Sequence, residues 1–103
     1  MSDVANDSWN SDAGECLAKV LSAIDDPKVM RQFLDDVLTK KEISEISARL
    51  RAASMLQDGA TYAQVIAKTR LSSRTVARVS NWLHNGTGGF LTALEVIRAM
   101  KKR

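Results

Sequence analysis

Glycine and proline occur at few points of this chain, and those points limit what it can fold into. Pro27 is the only proline, and four of the five glycines are Gly59, Gly86, Gly88 and Gly89. Proline lacks an amide proton and glycine loses much backbone entropy on ordering, so both tend to end regular elements. Between these points, apolar side chains recur at three- and four-residue spacing, which is typical of an α-helix. The sequence therefore predicts an all-α protein of about six helices.

The first half of the chain predicts three helices, each with an apolar stripe. From the spacing of apolar residues we expect the first helix at about 13–24 and the third at about 40–57. The second is expected to begin with Asp26 as its N-cap and Pro27 in its first turn, where a missing amide proton costs nothing. The stripes are wider than short neighbouring helices can cover, so residues 13–57 are predicted to be a helical dimerisation region.

The segment before the first helix, residues 1–12, is rich in Asp, Asn and Ser. It has few apolar side chains to bury, so we expect it to be mostly a flexible tail. Trp9 is the exception within it, and this side chain either docks onto a hydrophobic groove or is disordered with the tail.

Charge is divided unequally along the chain. Residues 1–48 carry ten acidic and five basic side chains, whereas residues 49–103 carry two acidic and ten basic ones. A field of one sign over half a small domain attracts and steers a polyanion, which makes double-stranded DNA the first partner to consider. The alternative interpretation is a soluble basic surface without a dedicated partner.

Residues 60–84 predict two short helices joined by a tight turn. Thr61 and Gln64 form a capping-box pattern, which marks the start of the first helix. Ser72 or Ser73 suits the N-cap of the second helix. The apolar residues of the two helices can face each other across the turn, as they do in a helix-turn-helix whose second helix reads DNA.

The exposed face of that second helix carries side chains suited to a DNA groove. Arg74 can donate two hydrogen bonds to guanine in the major groove and is the expected base-reading residue. Lys68, Arg70 and Arg78 are expected nearer to the phosphates, where they supply affinity without sequence information. The complete set of predicted DNA-binding residues is Lys68, Arg70, Ser72, Ser73, Arg74, Thr75, Ala77 and Arg78. The alternative is a helical adaptor that uses the same basic face to dock an acidic protein surface of the transcription machinery.

Catalysis and metal binding find little support in the sequence. Cys16 is the only cysteine and His84 the only histidine, which excludes an internal disulfide and any thiolate or histidine metal cluster. Paired carboxylates, a nucleophile with its base and a phosphate-binding loop are all missing from the sequence pattern. We therefore expect neither an enzyme nor a cofactor or metal.

No apolar run of the chain exceeds three residues, which is far too short to cross a bilayer. Its start, MSDVANDSWN, lacks the basic and then apolar regions of a secretion signal. We expect a cytoplasmic protein that has no membrane partner.

Beyond the predicted helix-turn-helix, the segment 85–89 contains three glycines and is expected to stop the helix and form a flexible turn. Residues 90–103 then predict a last amphipathic helix, because apolar residues return at helical spacing. We expect this helix to pack on the dimer core.

Several short stretches of the chain resemble one known family. They are Trp9-Asn10, Leu38-Thr39, ARLRAASMLQDGATY, SSRTVARVSN and LHNGTGGF. Together they make the chain similar, over about residues 8–95, to the Trp repressor superfamily, most closely to its YerC/YecD branch of small TrpR-related bacterial regulators. The resemblance implies an intertwined, all-α homodimer that regulates transcription, with two DNA-reading helices about 34 Å apart.

The resemblance also implies a candidate effector pocket. Residues that surround the bound amino acid in the tryptophan-responsive repressors match Thr39, Arg49 and Arg78 of this chain. Two departures, Val79 and Trp82, place larger side chains where those repressors have small ones, and both would crowd the cavity. We therefore do not expect tryptophan as the effector. The two arginines could equally form salt bridges or contact phosphates.

Arg70 is a further departure, because helix-turn-helix turns, including those of this family, usually carry glycine at this point. A left-handed backbone there costs a non-glycine residue about 1 kcal/mol. Either the turn differs locally or the strain is tolerated, and an arginine projecting toward the DNA backbone would offset the strain in the complex.

Overall fold

The computed structural model describes residues 8–102, which form six α-helices and one short 3₁₀ helix, without a strand in that part of the chain. The predicted all-α class is therefore confirmed. The helices are α1 (Asp12–Ala23), α2 (Pro27–Val37), α3 (Lys40–Gln57), α4 (Tyr62–Thr69), α5 (Ser73–Asn85) and α6 (Gly89–Lys101).

The start of the described chain is more regular than we predicted. Ser8–Asn10 form the 3₁₀ helix, and α1 begins at Asp12 with Ser11 as its N-cap, whose Oγ accepts a hydrogen bond from the amide of Gly14 at 2.9 Å. The flexible tail predicted over residues 1–12 therefore extends too far, because residues 8–12 lie in or next to a helix. Residues 1–7 lie outside the described residues. The Trp9 side chain is 55% exposed, so no groove in the described part of the chain encloses it.

The chain divides into two compact units, Met1–Lys40 and Lys41–Arg103. In the first unit, α2 begins as its sequence predicts: Pro27 is in its first turn, and Asp26 accepts a hydrogen bond from the amide of Lys28 at 2.9 Å. Neither α1 nor α2 contains a buried residue, and several of their large apolar side chains are exposed. The predicted apolar stripes are present, but no described residue of this unit covers them fully.

The second unit has a small core to which all four of its helices contribute. Its buried residues are Ala52, Ala53, Val65, Val76, Val79 and Leu94. Partly buried side chains pack around them, among them Ile66, Leu83 and Phe90. An exposed hydrogen bond of 2.6 Å from the guanidinium of Arg98 to Oε1 of Gln57 adds a polar link between α6 and α3.

Gly59 ends α3, as its position in the sequence predicts. Its φ of 93° lies in the left-handed region, which glycine adopts without a steric penalty. The amide of Gly59 donates to the carbonyl of Leu56 at 3.1 Å, and the amide of Ala60 donates to that of Met55 at 3.0 Å. These bonds close the end of α3 and direct the chain into α4.

The predicted C-terminal helix is present with slightly different bounds. It was expected over residues 90–103, whereas α6 runs over Gly89–Lys101. Arg103 lies outside the described residues. Gly88, the N-cap, has a φ of 98°, a conformation that glycine adopts readily and other residues rarely do.

Candidate nucleic-acid interface

The helix pair α4 and α5 begins with a complete capping box. Oγ1 of Thr61 accepts a hydrogen bond from the amide of Gln64 at 3.1 Å, and Oε1 of Gln64 accepts one from the amide of Thr61 at 2.8 Å. Two amides that lack helical partners are thereby satisfied, which stabilises a helix of only eight residues. The capping box predicted from these two residues is confirmed.

The turn between the two helices contains one residue with a left-handed backbone, Arg70, and then Ser72, the N-cap of α5. Arg70 has a φ of 62° and a ψ of 16°, and it is the only non-glycine residue of the described chain with a positive φ. Its amide donates to the carbonyl of Ile66 at 2.8 Å, which ends α4. The arginine therefore adopts the backbone conformation that glycine usually provides, at a cost of about 1 kcal/mol.

Thr69 supports this turn from the preceding position. Its Oγ1 donates to the carbonyl of Val65 at 2.7 Å and accepts from the amide of Leu71 at 3.3 Å. The hydroxyl thus satisfies a backbone amide just after Arg70, where the helical pattern of hydrogen bonds is interrupted. The strained residue lies between backbone groups that are hydrogen-bonded on both sides.

Helix α5 has Ser72 as its N-cap. Of the two N-cap candidates predicted from the sequence, Ser72 and Ser73, the structure therefore contains the first. Oγ of Ser72 accepts from the amide of Thr75 and donates to Oγ1 of Thr75, both at 3.1 Å. Both hydroxyls therefore hold the first turn of the helix together. Ser73, the first helical residue, has an exposed side chain directed away from the core.

Basic side chains surround the turn and follow one face of α5. Lys68, Arg70, Arg74 and Arg78 are all exposed, as is the side chain of Ala77. The sequence has no acidic residue between Asp58 and Glu95, so no carboxylate of this segment neutralises them. The opposite face of α5 carries Val76 and Val79, which are completely buried. One helix thus presents a cationic surface while its apolar side is held in the core.

Seven of the eight predicted DNA-binding residues are exposed on or beside this pair of helices, and Thr75 is partly buried. The structure brings them together on α4, the turn and the first two turns of α5. It also gives Ser72 and Thr75 a capping role that does not depend on any partner.

A groove lies in the second unit, between α3 and the joint of α5 with α6. Its volume is about 590 Å³, and its lining is mostly apolar. The lining residues are Ile46, Arg49, Leu50, Trp82, Gly86, Thr87, Gly89, Phe90 and Ala93. Helical periodicity did not predict this groove, because its residues come from two distant stretches of the chain, 46–50 and 82–93. Two of its residues had been named from the family resemblance, Arg49 in the candidate effector pocket and Trp82 as a side chain that would crowd it.

The predicted effector residues are not all gathered at the groove. Arg49 lines it, whereas Arg78 does not, and Thr39 belongs to the other unit. Nη2 of Arg49 lies 3.8 Å from Oε2 of Glu45, and its buried Nε has no hydrogen-bond partner within the described residues. Val79 is buried in the core, and Trp82 forms part of the groove wall. The crowding of an effector cavity by these two side chains stays a prediction.

The histidine and the cysteine of the chain make no described contact that indicates catalysis or metal binding. Nδ1 of His84 is 2.8 Å from the carbonyl oxygen of Ser80, one turn earlier in α5, and Cys16 is exposed on α1. Among the described residues no three histidine, cysteine or acidic side chains are grouped so that they could hold a metal ion. Helices long and apolar enough to cross a membrane are also lacking in that part of the chain.

The six helices and the capped pair define an all-α protein with a TrpR-like fold. The family model described as Trp repressor protein matches residues 14–98. The chain belongs to this family.

The proteins similar to the chain include one curated relative and two solved structures. The uncharacterized protein YerC of Bacillus subtilis (strain 168) is 34% identical over 67 residues, which are 65% of this chain and 64% of that protein. A crystal structure of a TrpR-like protein from Eubacterium eligens has a TM-score of 0.83 at 30% identity, covering 89% of this chain and 95% of that one. A candidate Trp repressor from Staphylococcus aureus gives a TM-score of 0.83 at 26% identity, with 95% of both chains covered.

Proposed function

We propose that this chain is a homodimeric, sequence-specific DNA-binding regulator of transcription. The observation that carries the proposal is the two-faced helix α5, which buries Val76 and Val79 and exposes Ser73, Arg74 and Arg78. A helix held in this way can enter the major groove of B-DNA, which is wide enough to admit it. The turn before it then faces the phosphate backbone, as in other helix-turn-helix proteins.

The side chains of this surface fall into two roles. Arg74 lies in the first turn of α5, where side chains of a reading helix contact base edges, and it is assigned to guanine. Ala77, one turn further along, suits an apolar contact with a thymine methyl group. Lys68, Arg70 and Arg78 are assigned to phosphates. Ser72, Ser73 and Thr75 lie at the helix N-terminus, where backbone amides and the helix dipole also favour a phosphate.

The homodimer is proposed from the uncovered apolar side chains of the first unit. Leu17, Val20, Val29 and Val37 are each more than a third exposed on α1 and α2. Exposed large apolar side chains on two short helices are a feature that a protein–protein contact would explain. We propose a second copy as the cover of these helices, and the family resemblance implies that the two copies of α5 then lie about 34 Å apart, one turn of DNA.

A small-molecule effector is not part of this proposal. Thr39, Arg49 and Arg78 remain the residues predicted from the family resemblance, and only Arg49 lines the groove. Tryptophan is not proposed as a ligand, because Trp82 adds an indole to the wall of that groove.

The proposal is tested by selecting bound sequences from a random duplex pool and measuring affinity by fluorescence anisotropy. Binding is expected to fall steeply with salt, because phosphate contacts release counterions. Arg74→Ala is expected to reduce discrimination between the selected duplex and a scrambled one by about 1–3 kcal/mol. The matched control, Lys68→Ala, should weaken both duplexes equally and lower the salt slope by about one.

Two outcomes would contradict the proposal. One is the lack of any duplex binding at low salt, and the other is equal affinity for every duplex in the pool. Capture of an acidic protein that survives nuclease treatment, together with no footprint on DNA, would instead support the helical adaptor.

A further inference from the structure

The joint between α5 and α6 is built around one aromatic contact. The indole of Trp82 on α5 stacks on the ring of Phe90 on α6, with ring centroids 6.0 Å apart and planes inclined by 17°. Both side chains belong to the wall of the groove described above. A stack of this kind prefers particular geometries, so it constrains the angle between two elements as well as their distance.

The backbone of the joint closes tightly on the same residue. The amide of Gly86 donates to the carbonyl oxygen of Trp82 at 3.0 Å, and a Cβ atom at position 86 would collide with that oxygen. Gly88 follows with a φ of 98° and is the N-cap of α6. Trp82 is thus held through its backbone by the loop and through its ring by Phe90.

Trp82 shares a stripe of α5 with two of the predicted DNA contacts. Arg74, Arg78 and Trp82 are spaced four residues apart, and side chains with this spacing lie on one face of a helix. Val76 and Val79 bury the opposite face of α5 in the core and so decide which face is exposed, through apolar contacts that are individually non-directional. The stack supplies the directional contact that the buried valines lack.

We propose that Trp82 is a positioning residue for DNA recognition. Its stack on Phe90 fixes the orientation of α5 in which Arg74 and Arg78 face the DNA. The groove beside it therefore does not need a bound small molecule for α5 to be in the DNA-binding orientation. This inference rests on the proposed DNA-binding function.

The test compares Trp82→Ala with the conservative variant Trp82→Phe. The readouts are affinity for the selected duplex, melting temperature and molecular mass by light scattering. Trp82→Ala is expected to weaken affinity by about three- to tenfold at a temperature where it is fully folded, which is the range for losing one aromatic pair. Its salt slope should be unchanged, because the basic side chains that contact phosphates remain. Trp82→Phe should retain most of the affinity.

Two further measurements separate positioning from general stability. Leu91→Ala is the matched control, since Leu91 is an exposed apolar residue of α6 outside the groove, and its affinity should equal that of the parent chain. Free indole should restore part of the affinity of Trp82→Ala and should not change that of the parent. If Trp82→Ala does not fold, Phe90→Leu removes the stack but keeps an apolar side chain, and the same loss is expected.

The inference is overturned if the folded Trp82→Ala chain binds the selected duplex as the parent does. It is also overturned if its lower affinity accompanies a lower molecular mass, which assigns the loss to assembly, or if the parent chain binds only after a small metabolite is added. A parent chain that binds no duplex under any of these conditions contradicts the DNA-binding function itself, so the two failures are distinguishable.

Discussion

The two units of the chain are built from the same kind of helix but differ in what their apolar faces contact. Helices α1 and α2 have clear apolar stripes and no buried residue, with Val29 44% and Val37 54% exposed. The four helices of the second unit completely bury Val65, Val76 and Val79. The periodic pattern therefore tells which face of a helix is apolar, but the covering partner has to come from elsewhere.

Small residues account for part of this difference. Ala52 and Ala53 are fully buried on α3, and side chains of this size let other parts of the core approach its backbone closely. The described residues of the first unit, from 8 to 40, form two α-helices and a 3₁₀ turn, which is too little chain to enclose a core. We propose that a second copy of the chain covers the apolar stripes of α1 and α2.

The largest effect is expected when the uncovered stripe is made polar. Val29→Asp places a charge on the exposed apolar face of α2, where it should prevent a second copy from packing. We expect the molecular mass by light scattering to halve. Affinity for the selected duplex should fall by a factor of about 10²–10⁴, because two linked reading helices are reduced to one.

The matched control for this variant is Gln32→Asp, which adds the same charge at an exposed polar position of α2. It should leave both mass and affinity unchanged. A Val29→Asp chain with the mass of the parent would show that this face is not the contact between copies.

A substitution in the buried core should act on stability instead. Val76→Ala removes two methyl groups from a completely buried site of α5 and should lower the free energy of unfolding by about 2 kcal/mol. Chemical denaturation measures this change. The control is Val96→Ala, at a side chain that is 54% exposed, for which we expect less than about 0.5 kcal/mol. Equal losses for the two variants would contradict the placement of Val76 in the core.

A smaller effect of opposite sign is expected at the turn. Arg70→Gly removes the side chain that is strained at a φ of 62°, so the free energy of unfolding should rise by about 1 kcal/mol. DNA affinity should fall at the same time, and the salt slope should decrease by about one, because a phosphate contact is lost. Denaturation and a salt titration of binding check the two parts.

Arg70→Asn separates the backbone from the charge, since asparagine tolerates a left-handed conformation better than most residues. It should lose DNA affinity as Arg70→Gly does, with a smaller gain in stability. A glycine variant that is more stable and binds DNA as tightly as the parent would show that the arginine makes no phosphate contact.

Local signals predicted local structure well in this chain. Asp26 with Pro27 and Thr61 with Gln64 each mark a helix start that the structure contains, because caps are formed by residues close in sequence. The left-handed Arg70 was one of two alternatives, and the structure decides between them. The stack of Trp82 on Phe90 was not predicted, because it depends on how the loop brings α6 back against α5.

The candidate DNA-binding surface could be predicted for the same local reason. Its residues lie within 11 positions of one another, from Lys68 to Arg78, on two short helices and one turn. The predicted effector residues, Thr39, Arg49 and Arg78, come from three separate segments. The sequence alone cannot tell which of these segments lie close together in the fold. Only Arg49 lines the groove that the structure contains.

The smallest effect is expected for the ion pair on the surface of α3. Glu45→Gln removes the carboxylate that lies 3.8 Å from the guanidinium of Arg49, and both side chains are at least 40% exposed. Exposed pairs of this type contribute about 0.3–0.5 kcal/mol at low salt, and 0.5 M salt should abolish the contribution. Denaturation at two salt concentrations measures both values. A salt-independent loss larger than about 1 kcal/mol would mean that solvent does not reach this pair in solution. The side of α3 that lines the groove would then have to be covered by a second copy, which would extend the contact between copies from the first unit into the second.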